Sequence, residues 1–163
     1  MLAYNCCQPA TATMIEADAS EVAGTMTKPD GALIAIIDDD AAARHALASL
    51  VSALGYQTFT CDSAAAFFAA GQRHEARCVV ADIRMPGMNG LELYGQLARS
   101  AHAVPTILIT AYPDETTRGS ALALGVHGYL TKPFDPEILL ACLRVALKAG
   151  PPIPRHSATD TTG

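Results

Sequence analysis

Short apolar runs alternate along the chain with longer stretches whose apolar residues recur at helical spacing. The apolar runs have the length of buried strands, and a more polar strand is expected near 56–60. The four clear runs are 33–37, 78–81, 107–109 and 128–131. Strands that alternate with helices predict an α/β fold, in which helices cover both faces of a mostly parallel sheet.

The first two of five expected helices have recognisable ends. Four side chains of the stretch 41–54 form one apolar stripe: Leu47, Leu50, Val51 and Leu54. Asp40 is expected to cap the start of this helix, and Gly55 is a suitable C-cap. The second helix is expected to begin after Asp62 or Ser63 and to end near Gly71.

The last three helices differ in intrinsic helicity. The third is expected to end near Arg99. The stretch 114–124 contains two threonines, a serine and Gly119, so it predicts the most mobile helix of the domain. The last helix, 136–149, begins with Asp135 as N-cap and proline at its first position.

Polar residues suited to phosphoryl chemistry follow four of the predicted strands. Asp38 and Asp39 follow the first strand, Asp82 the third, Thr110 the fourth and Lys132 the fifth. Parallel strands would bring these groups to the carboxyl edge of one sheet, where open α/β sheets bind their ligands. Three carboxylates, a hydroxyl and an ammonium at one edge predict a metal-assisted site that accepts a phosphoryl group.

Composition narrows the class of protein. The chain has 163 residues, of which 50% are hydrophobic, and this suits one folded domain with residues to spare. The formal net charge of −5 argues against direct nucleic-acid binding. No apolar stretch is long enough for a membrane span, and a cytoplasmic location is expected. Residues 1–30 are interpreted as a flexible extension, with Met26 as an alternative start, and 150–163 as a flexible tail.

The order of the motifs resembles a known family. The motifs are Asp38-Asp39, then Asp82 followed by Met85-Pro86-Gly87-Met88-Asn89-Gly90, then Thr110-Ala111, then Lys132-Pro133-Phe134. Together they resemble the receiver domain of two-component response regulators, and Asp82-Ile83-Arg84-Met85-Pro86 resembles receivers of the FixJ type. The resemblance covers about 31–149. It implies a doubly wound, flavodoxin-like sheet of five parallel strands in the order 2-1-3-4-5.

The resemblance and the chemistry of the residues together assign roles at the site. Asp82 is the expected phosphoacceptor, because a carboxylate can attack a phosphoryl group to form an aspartyl phosphate. Attack by an anion on an anion requires a cation, and Mg²⁺ (or Mn²⁺) suits oxygen ligands. The expected metal ligands are Asp39, Asp82 and the backbone carbonyl of Arg84, with Asp38 acting through a water molecule. The expected phosphoryl-binding residues are Thr110, Ala111 and Lys132.

Other roles follow from the resemblance alone. Thr110 and Tyr129 match the switch residues of receivers: Thr110 is expected to move toward the phosphoryl group and Tyr129 to fill the vacated space. Arg84 and Tyr112 match positions that tune the lifetime of the aspartyl phosphate, and their bulk predicts slow hydrolysis. The Lys132–Pro133 peptide bond is expected to be cis.

Partners follow from the same resemblance. A histidine kinase is the expected phosphodonor, and an unknown output protein is expected to bind the surface of the fourth helix, fifth strand and last helix. A phosphorylation-dependent homodimer is an open alternative. No DNA-binding pattern follows the last helix, so the sequence predicts a stand-alone receiver. Two further functions are alternatives: a receiver-like module that acts without phosphorylation, and a phosphohydrolase of the haloacid-dehalogenase type based on Asp38-Asp39-Asp40.

Overall fold

A computed structural model describes residues 31–150, and the expected extension 1–30 and nearly all of the expected tail lie outside the described residues. Strands and helices alternate along the described part. The strands are β1 (Leu33–Ile37), β2 (Gln57–Cys61), β3 (Cys78–Asp82), β4 (Thr106–Thr110) and β5 (Gly128–Thr131). The helices are α1 (Ala41–Ala53), α2 (Ala64–Ala69), α3 (Gly90–Arg99), α4 (Glu115–Leu124) and α5 (Pro136–Ala149).

The five strands form one parallel sheet in the order β2-β1-β3-β4-β5. This confirms the predicted doubly wound fold and its strand order. The central strand β3 pairs with β1 and β4, so its carboxyl end lies between theirs. The chain reverses its winding direction between β1 and β3, and this arrangement opens a crevice above the carboxyl ends of the strands.

Two apolar layers cover the two faces of the sheet. One layer contains the buried side chains of α2, α3 and α4, including Phe67, Leu93 and Ala121. The other contains those of α1 and α5, including Val51 and Leu139. Strands that are covered on both faces need continuous apolar runs rather than alternation, which explains the pattern that made them recognisable in the sequence.

The predicted element boundaries are accurate to about one residue, except near α2. Helix α1 ends at Ala53 with Leu54 as its C-cap, and Gly55 follows with φ of +97°. Ser63 rather than Asp62 caps α2, whose last residue is Ala69. A short 3₁₀ turn, Gly71–His74, follows α2 and was not predicted. Within 31–150, no helix is long and apolar enough to cross a membrane.

Candidate functional site

Two acidic side chains and one lysine meet at the carboxyl edge of the sheet. Lys132 follows β5, and its Nζ donates hydrogen bonds to Asp38 Oδ2 at 3.1 Å and to Asp82 Oδ1 at 3.0 Å. Both carboxylates are nearly covered, with side-chain exposures of 4% for Asp38 and 11% for Asp82. Three strand ends therefore bring three charged groups into direct contact, as the sequence predicts.

Backbone amides orient both carboxylates. Asp38 Oδ1 accepts a hydrogen bond from the Asp40 amide at 2.9 Å, and Asp82 Oδ2 accepts one from the Arg84 amide at 2.8 Å. Each carboxylate thus has one oxygen on the backbone and the other on Lys132. Side chains held at both oxygens have little rotational freedom, so the pair is oriented before any ligand binds.

Burial and the contact with an opposite charge shift the pKa of Asp82 and of Lys132 in opposite directions. Burial raises the pKa of Asp82, and the negative charge of Asp38 adds to this effect, while the hydrogen bond and charge of Lys132 oppose it. For Lys132, burial alone would lower the pKa, but its hydrogen bonds to Asp82 and Asp38 and their charges outweigh burial, so its pKa is raised. Lys132 therefore stays cationic and neutralises part of the acidic charge.

The expected metal ligands are only partly assembled. Asp39 is exposed beside the pair, and Asp38 and Asp82 share Lys132. In the described part of the chain, no group of three or more His, Cys, Asp and Glu side chains forms a metal-binding cluster. The chemistry of the donors still fits Mg²⁺, because carboxylate oxygens of Asp38 and Asp82 converge on one cationic nitrogen. Asp39 adjoins Asp38 in the chain, and the Arg84 backbone is held against Asp82 by its amide.

The two expected switch residues, Thr110 and Tyr129, are both buried. Thr110, the last residue of β4, is buried, and its Oγ1 donates to the Tyr112 carbonyl oxygen at 3.2 Å and accepts from the Tyr112 amide at 3.1 Å. Ala111 is exposed beside it. Tyr129 is 6% exposed, so its side chain is buried.

Arg84 and Tyr112 face each other at the mouth of the site. The Arg84 guanidinium carbon lies 4.8 Å from the centre of the Tyr112 ring, within the range of a cation–π contact. The Tyr112 side chain is otherwise 65% exposed. The Lys132–Pro133 peptide bond, which follows the lysine of the cluster, is cis.

Two residues at the site received no role in the sequence analysis: Arg44, which was not named there, and Gly90, which was named only as part of the motif after Asp82. Arg44 in α1 donates a hydrogen bond from Nη1 to the backbone carbonyl of Asp38 at 2.7 Å. Gly90 begins α3 so close to the end of β3 that an added Cβ would lie 2.5 Å from the Asp82 carbonyl oxygen. A glycine directly after the Asn89 cap could have indicated close packing, whereas no pattern in the sequence indicates the Arg44 contact.

Comparison with known proteins agrees with this fold. The family model for the response regulator receiver domain matches residues 34–144. The transcriptional regulatory protein FixJ of Azorhizobium caulinodans is 40% identical over 120 residues. That match covers 73% of this chain and 56% of FixJ, so the chain spans little more than half the length of this relative.

Solved structures show the same architecture. The response regulator StyR has a TM-score of 0.65 and 34% identity, covering 72% of this chain and 59% of StyR. The chemotaxis protein CheY4 of Vibrio cholerae has a TM-score of 0.64 and 25% identity, covering 71% of this chain and 98% of CheY4. The family model, the FixJ-like sequence and the shared fold establish that this chain belongs to the receiver domains of two-component response regulators.

Proposed function

We propose that the protein is a phosphoacceptor switch in which Asp82 accepts a phosphoryl group from a histidine kinase. Receiver domains are signalling proteins that take phosphoryl groups from such kinases. The observation that supports this role most directly is the contact of Lys132 with both Asp38 and Asp82 at the carboxyl edge of the sheet. It places a cation beside the carboxylate that the sequence pattern identifies as the nucleophile.

The reaction uses one oxygen of the Asp82 carboxylate. A lone pair of that oxygen forms a bond to phosphorus, and the bond between phosphorus and the imidazole nitrogen of the donor breaks with its electrons going to nitrogen. Asp82 must be ionised to attack, and Lys132 favours that form against the effect of burial. Lys132 then offers positive charge to the phosphoryl oxygens, and the Thr110 hydroxyl and the backbone of Ala111 supply hydrogen bonds.

Asp39, Asp82 and the Arg84 carbonyl are the groups that would hold Mg²⁺ or Mn²⁺, with Asp38 acting through a water molecule. When bound, the ion supplies positive charge that offsets the repulsion between the attacking carboxylate and the phosphoryl group. The chain prepares for this by fixing Asp38 and Asp82 with backbone hydrogen bonds. Lys132 holds the other oxygen of each carboxylate, so it would have to release Asp38 Oδ2 or Asp82 Oδ1 for that oxygen to bind the ion.

The switch is assigned to Thr110 and to the elements beside it. Thr110 Oγ1 would leave the Tyr112 backbone, bind a phosphoryl oxygen and pull on the segment that leads into α4. Asp114 caps α4 through the amides of Thr116 and Thr117, so a change in that segment is passed on to the start of the helix. Since Tyr129 is already buried, the motion that this proposal requires is that of Thr110 and the β4–α4 segment.

Arg84 and Tyr112 are assigned to the lifetime of the aspartyl phosphate. Their cation–π contact places two bulky side chains at the entrance through which water would attack. Removing either side chain should therefore shorten the lifetime. The test is the decay rate of phosphorylated R84A and Y112A proteins, measured against the wild type.

The output surface is assigned to α4, β5 and α5. Exposed apolar side chains occur on both helices: Leu122 and Leu124 on α4 and Val145 on α5. Exposed aliphatic side chains near a switch element are suited to a protein partner. That partner is an output protein or, alternatively, a second copy of this chain, and size-exclusion chromatography before and after phosphorylation distinguishes the two.

The proposed function is tested by incubating the full chain with acetyl phosphate and Mg²⁺. Intact mass spectrometry should show the gain of one phosphoryl group, and peptide mapping should place it on Asp82. The D82N variant should gain none, and chelation of the metal should prevent the gain in the wild type. A wild-type protein that is never phosphorylated would contradict the proposal and favour a receiver-like module that acts without phosphorylation.

A further inference from the structure

Arg44 lies in the first part of α1, beside the end of β1. It is half-buried, and its Nη1 donates a hydrogen bond of 2.7 Å to the backbone carbonyl of Asp38. A short hydrogen bond from a charged donor to a nearly buried acceptor is among the stronger contacts of a folded protein. None of the roles assigned above uses this side chain.

The carbonyl that Arg44 binds completes the hydrogen bonding of Asp38. The amide of Asp38 donates to the Cys61 carbonyl at 3.2 Å, and its two carboxylate oxygens accept from the Asp40 amide and from Lys132. The Arg44 bond therefore holds the last hydrogen-bonding group of this residue. That carbonyl belongs to the peptide unit that links Asp38 to Asp39, so the contact with Arg44 fixes the plane between two of the three carboxylates.

We propose that Arg44 is a positioning residue that orients the Asp38–Asp39 peptide for binding of a divalent cation. The inference rests on the proposed function, because it concerns the same metal-assisted site. Mg²⁺ requires oxygen ligands in near-octahedral geometry, so a small rotation of the peptide plane would misplace Asp39, which is exposed and has fewer restraints than Asp38. Arg44 acts on the metal site through Asp38 and does not touch the ion.

Charge alone predicts the opposite effect, and this makes the inference testable. A guanidinium near the site repels a divalent cation, so removal of its charge would strengthen binding of Mg²⁺. Loss of a group that orients metal ligands weakens binding, typically by 10-fold to 100-fold. The direction of the change in affinity therefore separates positioning from simple electrostatics.

The experiment measures Mg²⁺ affinity of the full chain by isothermal titration calorimetry, without a phosphodonor. R44M keeps an unbranched stem but removes the donor and the charge, and it should weaken Mg²⁺ binding on the order of tenfold. R44K keeps a charged donor of similar reach and should restore most of the affinity. R144M removes an exposed arginine from α5 and should leave the affinity unchanged.

Each outcome has a defined meaning. R44M binding that equals or exceeds the wild type in affinity overturns the positioning role, as does R44K binding as weak as R44M. If R44M does not fold, as judged by circular dichroism, R44Q takes its place because glutamine is too short to reach the same carbonyl. Wild-type protein that binds no Mg²⁺ overturns the proposed function together with this inference, whereas normal wild-type binding with an unchanged R44M overturns the inference alone.

Discussion

The two sides of the site differ in how firmly their parts are connected. On the side of β1, β3 and β5, the side chains of Asp38, Asp82 and Lys132 contact one another and the backbone. On the side of β4 and α4, the Thr110 hydroxyl bonds to the neighbouring Tyr112 backbone. The side chains expected to carry out the phosphoryl chemistry are thus already in contact with one another. The Thr110 hydroxyl, which is expected to respond to phosphorylation, is still bonded to the backbone two residues away.

Packing shows the same difference. Helix α3 follows β3, the strand that ends in Asp82, and buries four residues: Gly90, Leu93, Tyr94 and Leu97. Helix α4 has the same number of residues but buries only Ala121. Few buried contacts mean a low free energy of local opening, so α4 is suited to change position while the acidic cluster stays in place. The comparison implies that variants of the first side should have the larger effects on chemistry and stability, and variants of the second side should have small effects on both.

The largest effect is expected from K132M, which removes the cation that Asp38 and Asp82 share. Asp38 and Asp82 would remain nearly buried without their shared cation, and loss of one partner from such a cluster destabilises a protein. Because Lys132 is 29% exposed, solvent reduces this cost to about 2 kcal/mol of unfolding free energy. Phosphorylation by acetyl phosphate should slow on the order of 100-fold.

Urea denaturation and the rate of mass gain measure the two effects of K132M. K148M is the matched control, because Lys148 is exposed in the last turn of α5. It should behave as the wild type in both assays. A K132M protein with wild-type stability and rate would show that the contacts of Lys132 with Asp38 and Asp82 contribute neither to stability nor to phosphorylation.

The next largest effect is expected from G90A. The added Cβ would lie 2.5 Å from the Asp82 carbonyl oxygen. This oxygen is a backbone atom and the Cβ is attached directly to the backbone, so neither can turn aside and β3 and α3 must move apart. Overpacking of this kind costs about 1–3 kcal/mol of unfolding free energy, and it also displaces the phosphoacceptor. Phosphorylation should therefore slow in parallel with the loss of stability.

Two other helical glycines provide controls for G90A. An added Cβ at Gly119 has nothing within 4 Å, and at Gly95 it meets only the end of the Arg99 side chain at 3.7 Å. G95A and G119A should each stabilise the protein by up to about 1 kcal/mol, as expected for alanine in a helix. Equal effects of all three substitutions would contradict the role of Gly90 in positioning Asp82.

Local sequence patterns predicted those features that depend on local interactions. Strand β5 and helix α5 match their predicted bounds because an apolar run, the Asp135 cap and Pro136 mark them directly. The cluster of Asp38, Asp82 and Lys132 was also predictable, because each residue follows a recognisable strand and parallel strands end at one edge. Topology then needs no knowledge of side-chain packing to bring them together.

Features that depend on tertiary contacts were not predictable. The 3₁₀ turn Gly71–His74 follows a helix that ends earlier than its composition suggests. The rotamer of Thr110 is set by the path of the backbone at Tyr112, and the Arg44 contact depends on how α1 packs beside β1. The inward position of Tyr129 likewise depends on the space left by its neighbours rather than on its place in the strand.

A smaller effect is expected from pH, through the raised pKa of Asp82. Burial, with the charge of Asp38, raises this pKa above the ordinary value of 3.8, so the folded protein binds the Asp82 proton more tightly than the unfolded chain. This group therefore adds stability as pH falls through its folded pKa toward 3.8, and it opposes folding at neutral pH. D82N, which removes the charge, should be more stable than the wild type at neutral pH.

The pH prediction is checked by thermal unfolding of wild type and D82N at several pH values. The difference between the two proteins cancels the titration of the other groups to first approximation. The advantage of D82N should shrink as the solution is acidified toward the ordinary carboxyl pKa. An advantage that grows on acidification would mean that Lys132 lowers the pKa of Asp82 by more than burial raises it.

The smallest effect is expected from Y129F, because the Tyr129 side chain packs in the apolar layer that α4 covers. The Tyr129 hydroxyl is buried near the backbone of Asp114 but makes no hydrogen bond of normal geometry within residues 31–150. Burial accordingly raises its pKa. A buried hydroxyl without a partner costs free energy, so its removal should leave the unfolding free energy unchanged or raise it by up to about 1 kcal/mol. The rate of phosphorylation should not change.

Tyr94 allows a matched test of the same substitution. It is buried in the same apolar layer, but its hydroxyl donates a hydrogen bond to the Leu124 carbonyl at the end of α4, at 3.1 Å. Y94F should therefore lower the unfolding free energy by about 1 kcal/mol, opposite in sign to Y129F. Urea denaturation of both variants decides between the two cases. If Y129F is destabilised as much as Y94F, the Tyr129 hydroxyl is bonded in solution, and the β4–α4 side is held more firmly than its contacts indicate.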